Sequence, residues 1–339
     1  MKTIIRKTIY NKGVTKDFSS IKDENKKLVD EYLKYLAATN HSKITIESYY
    51  EILKGFFSWN YQNNNDEFFL LLKKKDFIFY FSYLRMTLLL SPKRIGTIKA
   101  VLSSFSTALE LLYEDTYATY KNKVKYLDIG DTKKDRRDKL VLSEAYLKKM
   151  LDKLVELKKY HLACFLAVLI SSGLRRREIL QLKLSDFDDN HKYYKGMFYK
   201  TDKIRGKGRG VEGKIFSSFI LASSIDPYLN LWLEKRKKLN IDNPYLFIKK
   251  NKDGKYEQAK IRTLDSYAKS ISNIFGFPFY MHSCRHFYTT KLKSQNVPDE
   301  VITFLLHWNS VSMINVYDDT KPDEKFKKYL SKRNNSFKK

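Results

Sequence analysis

Two cysteines among 339 residues, Cys164 and Cys284, leave no disulfide framework and no CxxC metal pair. One sits in an apolar run and the other between His282 and Arg285, so both read as buried, reduced thiols. No apolar run approaches the roughly 18 residues of a membrane-spanning helix, and Met1 to Lys22 lacks the apolar core of a signal peptide. A soluble, cytoplasmic protein with no membrane partner is therefore expected. No HExxH or zinc spacing occurs, and no metal or other cofactor is expected. An aromatic RNP-type strand motif for RNA is missing as well. Negative charge is also scarce: Asp and Glu number 38 against 65 Lys and Arg, a formal net charge of +27 spread along the whole chain. Part of that excess follows the Lys-, Asn-, Tyr- and Ile-rich usage of an AT-rich coding sequence, but a polyanionic partner is still implied.

The length fits two domains, each able to bury its own core. Residues 1–22 read as a basic arm. From 23 to 114 helical spacing dominates, with stripes at Leu28, Tyr32, Leu33, Tyr35 and Leu36 and then at Ile46, Tyr49, Tyr50, Leu53, Phe56 and Phe57. One helical block is expected from about Asp66 to Leu90. Another opens at Ser91-Pro92, a capping residue followed by proline at the first helical position. Residues 115–140 lose the periodicity, carry the charge cluster from Lys133 to Lys139 and read as a linker. A second domain spans 141–321. Its almost wholly apolar segment from Leu162 to Ser172 predicts a buried helix, and alternation between Lys192 and Leu221 predicts a small antiparallel sheet with a long hairpin turn. Helices are expected again from Ser224 onward. The tail, 322–339, has a short apolar stripe at Phe326, Tyr329 and Leu330.

Within the second domain three features bear on phosphate chemistry. Arg175 stands in Gly173-Leu174-Arg175-Arg176-Arg177-Glu178, Arg285 in His282-Ser283-Cys284-Arg285-His286, and Tyr317 in Val316-Tyr317-Asp318. An arginine fork holds two phosphate oxygens and stays charged, so two of them suit a pentacoordinate phosphorane with a tyrosine as nucleophile. Taken singly, such an arginine caps a helix and such a histidine packs in a core. Their joint order is more specific, and the 32 positions from Arg285 to Tyr317 fit a helix, a turn and a second helix.

The ordered set, Arg in Gly-Leu-Arg-x-x-Glu, a hairpin lysine, His-x-x-Arg, a His or Trp and then Tyr, resembles the tyrosine site-specific recombinase, or phage integrase, family over about Ser143 to Leu330. The helical block resembles that family's core-binding domain through Ser42, Thr45, Tyr49, Leu53 and Phe57 and the Ser91 to Leu112 helix. The resemblance implies a mainly α fold with a small antiparallel β-sheet, in which a helical core-binding domain and a catalytic domain form a C-shaped clamp on double-stranded DNA. It makes Arg175 and Arg285 phosphate clamps, His282 a proton-accepting or phosphate-bonding histidine and Tyr317 the nucleophile. Gapless alignment puts Trp308 on the His/Trp position and His307 on the family's glycine; His307 is the alternative to Trp308. For the lysine, Lys203 lies 28 positions after Arg175 as in Cre-like members, while Gly206-Lys207-Gly208 imitates Xer-type members; Lys203 is preferred, Lys207 is the alternative, and Lys200 and Lys214 lie nearby. Glu178 and Asp186 are either orienting carboxylates or surface ones.

By the same resemblance the enzyme cleaves and rejoins DNA through a 3′-phosphotyrosyl intermediate without metal, as a homotetramer on two sites of paired inverted-repeat half-sites, associated with the nucleoid. Its tail docks on a neighbouring protomer or packs on its own domain. A type IB topoisomerase and a catalytically silent DNA-binding relative stay open as alternatives. So do the target sequence, the choice among integration, excision, inversion and dimer resolution, and any DNA-bending factor or partner recombinase.

Overall fold

A computed structural model of the chain describes residues 18–130, 142–208 and 213–318. The basic arm up to residue 17, the charge cluster of the linker and the tail 322–339 lie outside the described residues. The chain divides into two compact units, one ending in the 131–141 stretch and the other following it.

The first unit is built on α1 (Asp23–Ala38), α2 (Lys43–Asn63), α3 (Lys74–Ser82) and α4 (Pro92–Leu112). Ser42 and Ser91 cap α2 and α4, their hydroxyls accepting from Thr45 N and Arg94 N. The apolar stripes meet in a core led by Tyr32, Phe56, Phe57, Phe69, Phe77, Tyr80 and Phe105, each contributing roughly 1.5–3 kcal/mol by burial. Phe56 stacks on Phe77 at 5.8 Å, and Phe69 meets Phe105 at 4.7 Å. The single block expected from Asp66 to Leu90 is broken into a 3-10 turn at Phe69–Leu71, α3, and a π-turn at Tyr83–Thr87. Asp66 and Leu89 adopt positive φ at either end, and the Asp76 carboxylate takes the Lys73 N–H, starting α3 afresh. After α4 the chain runs without helix to residue 130, and Tyr120, Val124 and Leu127 are buried in this unit's core. Among the described residues one helix, α4, is by length and composition apolar enough to cross a membrane, although no uninterrupted apolar run is. It carries Lys93, Arg94, Lys99 and Glu110, and its stripe from Ile95 to Leu109 is buried against the other helices.

The second unit is organised around α6 (Tyr160–Ser172), with ten of its thirteen residues buried. Packed on it are α5 (Glu144–Glu156), α8 (Ala222–Lys238) and α10 (Met281–Ser294). Short α7 (Arg176–Ile179) follows α6. Where one small sheet was expected there are two: β1 (Lys192–Tyr193), β2 (Phe198–Lys200) and β5 (Phe219–Leu221) pair antiparallel, and β3 (Ile204–Gly206) with β4 (Lys214–Phe216) forms a separate hairpin. The expectation of helices alone after Ser224 fails, because β6 (Ile248–Lys250) and β7 (Tyr256–Gln258) make a third hairpin. Its turn holds Gly254 at φ 81, a conformation glycine reaches without the Cβ penalty. Then come α9 (Ile261–Phe275), α11 (Asp299–Leu305) and α12 (Ile314–Tyr317). Both cysteines are buried free thiols, as expected.

Candidate active site

Helix α6 ends at Gly173, whose φ of 62 is left-handed. A Cβ there would lie 2.8 Å from Leu306 and 2.9 Å from Tyr288, so only glycine lets this corner touch α10 and the end of α11. The chain leaving the corner presents Arg175. Glu178, 2% exposed, accepts Arg175 N at 2.7 Å with one carboxylate oxygen and Arg175 Nη1 at 3.0 Å with the other. A buried carboxylate thus fixes both backbone and guanidinium of a half-buried arginine. Glu178 is the orienting carboxylate of the two weighed in the sequence.

Helix α10 supplies the next groups. Arg285 is 2% exposed and donates from Nη1 to Gly173 O at 2.6 Å and from Nη2 to Leu306 O at 2.7 Å. Burial and the nearby Arg175 bring its pKa down to about 10, opposed by Glu178 and Tyr317, so it stays charged at neutral pH. Its guanidinium carbon stands 5.2 Å from the Trp308 ring and 5.7 Å from the Tyr317 ring. The Tyr317 ring, on α12, lies 5.2 Å from His282, 4.7 Å from His286 and 4.9 Å from Trp308. Arg285 Nε and Trp308 Nε1 are buried with no hydrogen-bond partner among the described residues. Buried donors normally find one, and here both stand beside the same tyrosine.

Residues from α7, α10, the turn after α11 and α12 therefore converge. Arg175, Arg285, Trp308, His282 and Tyr317 come together around one phenol or through one another. His286 was missed, although it shares a helical face with His282 four residues away. His307 turns elsewhere: its ring stacks on Phe216 at 3.6 Å, and its φ of 53 suits the glycine that the family pattern has at this place. Lys214 Nζ donates to Asn309 Oδ1 at 3.3 Å and to His307 O at 3.5 Å, beside Trp308. Lys203 and Lys207 are exposed at the two ends of β3. That strand is tied to the residues after α7 by Gln181, which bonds both N and O of Arg205 at 2.8 Å.

Asp186 lies outside this cluster. Its carboxylate accepts Lys183 N and Asp202 N, each at 2.7 Å, and anchors the turn before Lys203. With His191 and Asp202 it forms a group compact enough for a cation. However, both ring nitrogens of His191 already face Asp188 and Asp202, and both Asp186 oxygens hold backbone, so the group is accounted for as a tie between turns.

Residues 141–324 match the model of the phage integrase family. The SPbeta prophage-derived recombinase-like protein YomM of Bacillus subtilis (strain 168) is 30% identical over 234 residues, covering 68% of this chain and 67% of that protein. Among solved structures, the XerH site-specific recombinase in a post-cleavage complex with palindromic difH substrate is similar with a TM-score of 0.67 at 17% identity, over 90% of this chain and 95% of that one. A lambda integrase dimer bound to a COC′ core site gives 0.61 at 16% identity, over 87% and 77%.

Proposed function

The chain belongs to the phage integrase family of tyrosine recombinases, and on that premise we propose that it cleaves and rejoins DNA at specific sites with Tyr317 as nucleophile. The observation that carries this is the Tyr317 ring within 6 Å of His282, His286, Trp308 and Arg285. The Tyr317 hydroxyl oxygen bonds to phosphorus as the bond from phosphorus to the 5′ oxygen breaks. The phenolic proton passes to His282, and the leaving 5′ oxygen takes a proton from a lysine ammonium. Arg175, Arg285 and the Trp308 N–H hold the nonbridging oxygens and carry the charge that a divalent ion supplies elsewhere. One phosphodiester is exchanged for another, so rejoining is the same step run backwards and needs no cofactor.

For the lysine, nearness to the Arg175–Glu178 pair, not strand face, favours Lys207 over Lys203, since Lys203, Arg205 and Lys207 fall on the same side of β3. Gly206 has the Glu178 carboxylate 3.2 Å from where its Cβ would be, and Lys207 follows it directly, whereas Lys203 stands at the far end of β3. The helices of residues 23–114, with the 115–130 segment packed on them through Tyr120, Val124 and Leu127, serve as the core-binding domain, 141–321 as the catalytic domain, and both add phosphate contacts to duplex DNA. Exchange of strands requires two sites and four protomers in this reading. The test is covalent capture on a nicked suicide duplex. Tyr317→Phe removes only the attacking oxygen, so binding persists and the adduct disappears; capture that survives assigns another nucleophile.

A further inference from the structure

His307 stands in left-handed backbone, where a side chain costs roughly 1 kcal/mol that glycine avoids. The ring gained at this cost lies on Phe216 of β4, at 3.6 Å and 24°. The same turn is held a second time by β4, through Lys214 Nζ to Asn309 Oδ1 and His307 O. In the register of the hairpin, Ile204 pairs with Phe216 and Gly206 with Lys214, so these four residues share one face. Gly206 has no room for a Cβ, which would overlap the Phe216 ring and come within 3.2 Å of Glu178. One face of a three-residue hairpin thus touches the carboxylate that fixes Arg175 at one point and the turn that carries Trp308 at another. Its turn carries Lys207.

We infer that His307 is a positioning residue, whose ring latches the β3–β4 hairpin to the Trp308 turn and so sets where the general-acid lysine meets the leaving oxygen. The inference rests on the recombinase reading above and adds a role to a residue outside the phosphate-binding set. The latch is a contact between neutral rings. Burial, with Lys214, Arg285 and Arg175 close by, pushes the His307 pKa down to about 4, so near neutral pH the imidazole brings no further cation to the pocket.

The distinguishing measurement is single-turnover cleavage of two suicide duplexes, one with the natural phosphate and one with a 5′-bridging phosphorothiolate, whose sulfur leaves without a proton. His307→Gly relieves the backbone, so the fold is retained, as thermal melting will verify. It should slow cleavage of the natural phosphate about tenfold or more, a part of the 10²–10⁴ that general acid catalysis contributes, and return to near the wild-type rate on the sulfur substrate. Phe216→Ala should behave in the same way, whereas His307→Phe keeps the ring and should stay close to wild type on both. Wild-type cleavage of the natural substrate by His307→Gly, or an equal loss on both substrates, overturns the latch. Lys203→Ala and Lys207→Ala are run alongside. If the sulfur substrate rescues neither of them, the lysine acid itself is wrong, and the latch falls with it by a separate route.

Discussion

Two buried polar groups, one in each unit, are treated in opposite ways. In the helical unit Asn25 is fully buried and every one of its side-chain groups is used: Nδ2 donates to Asp66 Oδ1 at 3.0 Å and Glu67 O at 3.2 Å, while Oδ1 accepts Phe69 N at 3.0 Å. In the catalytic unit Arg285 is almost as deeply buried, yet its Nε and the neighbouring Trp308 Nε1 have no protein partner among the described residues. A closed polar cluster fixes a loop within an aromatic core. Open donors next to a tyrosine leave hydrogen-bonding capacity for charge that arrives with a substrate, and this is where buried cost and function coincide. The contrast implies that damage to the first unit should appear as lost stability and damage to the second as lost chemistry.

The largest expected effect tests the catalytic half of that contrast. Arg285→Lys keeps a positive charge but cannot span Gly173 O, Leu306 O and a phosphate with one ammonium. Cleavage in single turnover should fall roughly 10²–10³-fold, the loss typical of one transition-state donor, while binding to a half-site in a gel shift changes little. The matching change in the helical unit, Asn25→Ala, leaves the Phe69 N–H and Asp66 short of partners. It should destabilise that unit by about 2–4 kcal/mol in urea unfolding, at roughly 1–3 kcal/mol for each stranded group, with single-turnover cleavage unchanged where the unit is folded. If Asn25→Ala slows the chemistry as much as Arg285→Lys does, the contrast fails.

Acid offers a smaller and more selective probe. His161, against Trp232 and Tyr267, and His307, against Phe216, are both held near a pKa of about 4, the first mainly by burial and the second by burial with nearby cations. Their ordinary value is 6.5, so as pH falls the unfolded chain takes up these protons before the folded one. The stability from keeping them neutral is complete above about pH 6.5 and is lost between there and about 4. Each contributes about 1–3 kcal/mol, discounted because neither ring is wholly buried. The histidine of the helical unit, His41, is exposed. Hydrogen exchange at pH 7 and pH 4.5 should therefore show α6 losing protection ahead of α1 and α4, and His161→Phe should remove part of that loss. Equal losses in both units would break the comparison.

Legibility in the sequence followed the same division. The helices of the first unit were readable because one apolar face repeats at 3.6 residues and Ser91-Pro92 announces the start of α4; the break after Ser82 was not, because Tyr83, Leu84 and Met86 continue the pattern while the backbone widens into a π-turn. Arg175, Arg285, Trp308 and Tyr317 could be singled out because their order along the chain fits the family pattern, and the structure brings them together. Glu178 was ambiguous until its burial was known, since an acidic residue three positions after an arginine looks the same on a surface. The β6–β7 hairpin was overlooked despite Asn251-Lys252-Asp253-Gly254, because its strands are three residues long and show almost no alternation. Phe216 meeting His307, 91 positions apart, has no local signature at all.

The smallest effect is a cap. Ser91 Oγ accepts Arg94 N at 3.4 Å, longer than the usual 2.7–3.2 Å, so the bond is a weak one. Pro92 at the next position already fixes φ for the first turn, and from Ile95 onward α4 is held by burial of Ile98, Val101, Leu102 and Phe105 rather than by its end. Ser91→Ala should therefore cost about 0.5–1 kcal/mol, the low end for lost N-caps, and Ser91→Gly only a few tenths. Because the loss is confined to the first turn, hydrogen exchange should quicken at Arg94 and Ile95 while α6 keeps its protection and covalent capture by Tyr317 keeps its rate. A cost above about 2 kcal/mol would mean that α4 depends on its cap more than on its stripe. Quickened exchange in α6 would mean that the two units open together, and the division between a unit that carries stability and a unit that carries chemistry would have to be given up.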